Sequence, residues 1–126
     1  MAKGETEMQK KLLEDIWQVC NSEYKGDNRV KALKMLNKMT AFKDGVTLAK
    51  MDAFIVDFKK KYDIGSIIVS RQLTNSSNCW CVTYAVGNSM SNYHVLRAVS
   101  LDEAYVKLCL SLFSGVKSGE YKRRGA

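Results

Sequence analysis

Four cysteines and one histidine are the side chains of this 126-residue chain with inherent nucleophilic or soft-metal chemistry. Cys79 and Cys81 stand two apart, a spacing that in a strand turns both thiols to one face. A structural zinc site wants its ligands on turns and then a second pair. Here Cys20 and Cys109 are isolated, and His94 has no companion histidine. The pattern reads as free thiols in a reducing compartment. His94 with Cys79 or Cys81 is the one thiol–imidazole pair available, but no feature marks an oxyanion site or an orienting third group. The carboxylates do no better. Asp52 and Asp57 lie five apart and do not share a helical face cleanly, and Asp102 and Glu103 follow Ser100 as a helix-capping sequence. The eight glycines are scattered, with no phosphate-cradling loop. The expectation is a protein without a catalytic centre, a metal or a cofactor.

Charge is the positive signal. Lys and Arg total 20 against 13 Asp and Glu, a formal net charge of +7. Most of that excess falls in one segment, where Lys25, Arg29, Lys31, Lys34, Lys38 and Lys43 face a single acid, Asp27. Lys31, Lys34 and Lys38 recur at i, i+3 and i+7, one stripe of a helix. A second basic group, Lys122, Arg123 and Arg124, lies near the C-terminus. These nine residues are the candidate contacts for an acidic protein or ribonucleoprotein surface, or for DNA or RNA phosphates. Aromatic interleaving of the kind that stacks bases is weak, since Tyr121 is the one aromatic among the tail bases. No membrane role is expected: no apolar run approaches the ~20 residues of a span, and the basic helix needs its apolar side for the core.

The elements that must position these residues follow from periodicity. Residues 5–24 read as a helix with Met8, Leu12, Ile16, Cys20 and Tyr24 on one stripe, widened by Leu13, Trp17 and Val19, and with Gly26 as its stop. Residues 27–40 read as a second helix, capped by Asp27 or Asn28, with Val30, Leu33, Met35, Leu36 and Met39 on its apolar side. Thr47 opens a third, where Leu48, Met51, Phe54, Ile55, Phe58 and Tyr62 recur at helical spacing and Gly65 closes the segment. Its acids, Asp52 and Asp57, suit it poorly as the recognition helix of a helix-turn-helix. From Ser66 the period shortens, and β-branched Ile67, Ile68 and Val69, then residues 79–86 and 93–99, predict three strands joined by polar turns. Ser100 and Glu103 form a capping box ahead of a last helix carrying Leu101, Ala104, Tyr105, Leu108, Cys109 and Leu112, with Gly115 as its stop.

The order helix, three strands, helix over residues 47–113 resembles the double-stranded RNA-binding domain. That family places a lysine cluster at the start of its last helix and a Gly-Pro-x-His-type loop between its first two strands. Here those positions hold Asp102 and Glu103, and Thr74-Asn75-Ser76-Ser77-Asn78. A second resemblance is to the small sandwich domain of bacteriophage accessory proteins. It is carried by Trp80-Cys81-Val82-Thr83-Tyr84, His94-Val95-Leu96-Arg97-Ala98 and the helix with Ala104, Leu108, Cys109 and Leu110, and departs from it at Tyr105 and Val106. This resemblance implies a phage-encoded accessory protein that binds host or defence machinery, and it brings no catalytic residues.

The expectation is therefore a single α+β domain over residues 1–126. Three N-terminal helices precede a three-stranded antiparallel sheet and a C-terminal helix. Residues 1–45 form the helical N-terminal part, 46–114 the helix–sheet–helix core and 115–126 a flexible basic tail. The third and fourth helices are expected to cover the sheet. The expected function is non-catalytic binding, such as inhibition of a CRISPR-type or other host defence complex, with a nucleic-acid-binding module as the alternative. Residues 1–13 are charged and lack an apolar leader, so a cytoplasmic location is expected, the host cytoplasm for a phage protein. Trp17 and Tyr24 are candidate residues for a homodimer interface.

Overall fold

Helix α4 (Leu101–Ser118) is the element around which the others assemble. The computed structural model describes residues 3–71, 80–86, 93–119, 121 and 123. Before α4 come α1 (Lys3–Cys20), α2 (Gly26–Asn37), a 3₁₀ turn (Thr40–Phe42), α3 (Leu48–Lys61), β1 (Ile64–Arg71), β2 (Trp80–Val86) and β3 (Tyr93–Ala98). The fold is α+β, with three helices ahead of an antiparallel sheet in the order β1-β2-β3 and one helix after it.

The apolar residues of α4 are not confined to one stripe. Ala104, Val106, Leu108, Cys109, Leu110 and Leu112 are all buried. A helix apolar on several sides must be enclosed. Here α4 packs against β2 and β3 and also against α1, α2 and α3. This corrects one expectation: α4 covers the sheet, while α3 packs on α4 and on the 3₁₀ turn. Two of the three predicted N-caps form. The Ser100 side chain accepts from the Glu103 amide at 3.1 Å, Glu103 Oε2 accepts from the Val99 amide at 2.9 Å, and Thr47 Oγ1 accepts from the Lys50 amide at 3.2 Å.

Strand register sorts the sheet's two faces. Ile67 pairs with Tyr84, Val69 with Val82, and Val82 with Leu96. Val82 and Tyr84 in this set are fully buried. On the other face Ile68, Thr83 and Val95 line up across the strands, and Ile68 is 57% exposed. Alternation along each strand places the two sets.

Several glycines act differently from the expectation. Gly26, predicted as the stop of α1, has φ +56° and opens α2, while α1 ends at Cys20. Neither Asp27 nor Asn28 caps α2. Instead Asn28 Nδ2 donates to the carbonyls of Val19 and Glu23, tying the α1–α2 turn together. Gly65 lies inside β1, where the register slips between Ile64 and Ile67, as a β-bulge requires. Gly115 lies inside α4, whose C-cap is Gly119 at φ +78°. The tail expected to be flexible from residue 115 is thus helical to Ser118. Beyond it Tyr121 is buried, its ring edge-on to Phe58 with centroids 5.6 Å apart.

Candidate partner-binding surface

The lysine stripe of α2 survives folding as a structural unit. Ala32 and Leu36 pin the helix to the core, both with no exposed surface, and their spacing leaves Lys31, Lys34 and Lys38 directed outward. These three border a groove of about 850 Å³ together with Lys61 from α3 and Lys117 from α4. Leu12 and Ile16 of α1, Met35 of α2, Met39 ahead of the 3₁₀ turn, Phe54 of α3 and Leu110 and Phe113 of α4 supply its apolar lining. Four helices thus build one recess with an apolar floor and a basic rim.

The rim holds five lysines and two aspartates. Asp15 lies 3.8 Å from Lys31, and Asp57 lies 3.0 Å from Lys61 one helical turn away. The Lys117 ammonium stands over the Phe113 ring, 5.4 Å from its centroid. Lys34 and Lys38 form no ion pair among the described residues. Two cations beside apolar surface that water solvates poorly favour an anionic ligand there.

The remaining predicted site residues scatter. Lys25 pairs with Glu23 at 2.9 Å and lines a second, more polar recess of about 850 Å³ between the α1–α2 turn and the β3–α4 junction. Arg29 stacks its guanidinium over the Tyr24 ring at 5.8 Å. Lys43 is exposed after the 3₁₀ turn and lines neither recess. Arg123 is exposed and forms an antiparallel bridge with Tyr62. Lys122 and Arg124 lie outside the described residues. The nine-residue set therefore resolves into one coherent triad and separate outliers. Trp17 is 67% exposed on α1, whereas Tyr24 is half-buried under Arg29.

Lys61 and Lys117 were missed as site residues by sequence reasoning. Lys61 sits in the last turn of α3, where a cation is already explained by the helix dipole, and Lys117 falls beyond Gly115, the expected stop of the last helix, whereas it lies in the last turn of α4. The polar recess adds a second surprise, the buried pair Glu103 and Lys107 at 3.6 Å.

The thiols can be placed in part. Burial raises the Cys20 thiol, which contacts the Ser111 hydroxyl at 3.9 Å. Burial also pushes the Cys109 thiol well up. Both are therefore protonated and unreactive at neutral pH. Cys81 is buried beside Thr83, with 3.8 Å between Sγ and Oγ1. Cys79 and the side chain of His94 lie outside the described residues.

Compared with known proteins, the chain matches no family model, no curated protein and no solved structure.

Proposed function

We propose that this protein is a non-catalytic binding protein that acts by contact with an acidic surface on a protein or ribonucleoprotein partner. The observation that carries the reading is that Lys34 and Lys38, on the rim of an apolar groove, form no ion pair among the described residues. A solvated lysine face would border polar surface; here the neighbours are Met35, Met39 and Phe54. The groove also weighs against direct phosphate contact by the same lysines. The apolar floor has no counterpart in a phosphate track.

The finer reading is an accessory or anti-defence protein of bacteriophage type, blocking a CRISPR-type or other host complex. Its support is the resemblance over residues 80–112 together with a basic surface suited to ribonucleoproteins.

Affinity capture from bacterial lysate, with the wild-type chain and the Lys34→Glu/Lys38→Glu variant as baits, tests the reading. Lysate is used with and without nuclease. Partners captured by the wild type, resistant to nuclease and lost with the variant support it. Capture unchanged by the double substitution would sink it. Capture abolished by nuclease points to nucleic acid as the ligand. For the finer reading, expression of the wild type in a defence-carrying host restores phage plaques and the variant does not.

A further inference from the structure

We infer that the occupant of the groove is an acidic amphipathic helix of the partner, laid along α2 with its apolar side on the floor. The inference rests on the contact-binding reading above and adds the kind of element that is bound.

The shape of the recess selects a helix. Its walls are α1, α2, α3 and α4, so no open strand edge lines it to pair with an extended peptide. The volume of about 850 Å³ is open to solvent and accommodates several anchor side chains presented at i, i+3/i+4 and i+7. Met35 and Met39 lie in the floor beside Phe54 and Phe113. Unbranched, polarisable methionines adapt to different anchors, which suits a docking groove.

The charges select an acidic helix. Lys31 and Lys34 of α2 and Lys38 at its C-cap lie over seven helical steps, a rise of about 10 Å. Carboxylates at i and i+4 of a helix lying alongside repeat over the Lys34–Lys38 distance, so each of the two lysines without an ion pair among the described residues meets one acid, while Lys31 already has Asp15 at 3.8 Å. Lys61 and Lys117, from α3 and α4, extend the basic rim to those helices, Lys61 as the partner of Asp57 and Lys117 over the Phe113 ring. The repeated rim charge is complementary to a repeating acidic ligand.

Ala41 provides the decisive variant. It lines the groove, is exposed, and belongs to the 3₁₀ turn, not to the core. Ala41→Arg adds positive charge while filling the groove. A purely electrostatic surface would bind an acid more tightly after this change; a groove that seats a helix would bind it less tightly.

The experiment is fluorescence anisotropy of the full chain with three labelled probes. The first is a peptide of about 18 residues, five turns, with leucines on one face and glutamates on its flanks. The second has the same composition shuffled to remove the apolar face. The third is a duplex of ~20 base pairs, as DNA and as RNA, titrated at about 50 mM and about 200 mM salt. The first peptide is expected to bind at least about tenfold tighter than the second. Ala41→Arg should weaken it by about tenfold, and Lys34→Glu/Lys38→Glu should weaken both peptides. Equal binding of the two peptides, or tighter binding by Ala41→Arg, overturns the helix inference and leaves the acidic-surface reading standing. Absence of binding to either peptide overturns both. Duplex binding lost in the lysine variant, with no peptide binding, overturns both and assigns the lysines to nucleic acid. Melting of each variant by circular dichroism confirms that it is folded.

Discussion

Tyr121 folds back onto α4 so closely at Gly115 that a Cβ at that glycine would overlap the aromatic ring. The Tyr121 hydroxyl donates to that of Tyr84 at 3.3 Å, joining the end of the chain to the central strand. A single absent side chain thus admits the ring that ties helix, sheet and C-terminal segment together.

That closeness sets the sign of a substitution. In an exposed helix, Gly→Ala stabilises by about 1 kcal/mol. At Gly115 the overlap with Tyr121 reverses this, and Gly115→Ala should destabilise by about 1–3 kcal/mol in urea denaturation. In a Tyr121→Ala background the same change should become stabilising. Additive effects of the two substitutions would show that the ring does not rest on Gly115.

The buried pair of Glu103 and Lys107 behaves as a unit. Glu103 Oε2 also accepts from the amide of Val99, the residue before the Ser100 cap, so the carboxylate ties the helix entry and holds the lysine. Lys107→Ala leaves that carboxylate without its cation and should cost about 3 kcal/mol or more. Lys107→Met combined with Glu103→Gln keeps the volume and the capping acceptor, and should cost clearly less. A double variant as unstable as Lys107→Ala would mean packing, not charge, dominates the site.

Stability should fall on the alkaline side. Burial raises the thiols of Cys20 and Cys109 above their ordinary value of 9.0, and raises the Tyr24 and Tyr105 hydroxyls above 10.0. Above about pH 9 the unfolded thiols lose protons while the folded ones keep them. The unfolded state then binds fewer protons, so stability declines as pH rises from the unfolded toward the folded value. For Cys109 the slope approaches about 1.4 kcal/mol per pH unit. Urea midpoints at pH 7.5, 9 and 10.5 measure it, and Cys109→Ala should flatten the profile. A wild-type profile already flat to pH 10.5 would contradict the burial of these groups.

The lysines of the groove should be dispensable for folding. Lys34 and Lys38 are exposed and unpaired among the described residues, so Lys34→Glu/Lys38→Glu should change stability by no more than about 0.5 kcal/mol per site. Loss of partner capture then reports on contact alone. A large drop in thermal midpoint would show that these lysines serve the fold.

Capping residues offer an internal calibration. Thr47→Ala and Ser100→Ala each remove a side-chain acceptor from a helix N-terminus. Each should cost about 1 kcal/mol. Glu103 also reaches the Val99 amide, so the Ser100 change should be partly buffered relative to a simple cap. Equal or smaller loss for Thr47→Ala would contradict that buffering.

Local chemistry in the sequence determined much of this molecule. The caps at Thr47 and Ser100, the apolar period of α3 and the alternation in β2 each act within a few residues, so type and order of the elements were legible. So was the stripe of Lys31, Lys34 and Lys38, because helical spacing alone aligns it. What tertiary structure decided involves groups far apart in the chain. Gly115 looks like a helix stop until Tyr121 is seen packed against it, and the buried Tyr121 looks like part of a free tail. Lys61 looks like a dipole partner, and Lys117 like part of a free tail, until α3 and α4 bring them to the rim that α2 begins. Asp15 and Asp57 enter that rim the same way. Backbone propensity and capping depend on neighbours in sequence. A groove depends on which side chains four helices carry to one place, and the packing of those helices on α4 decides that.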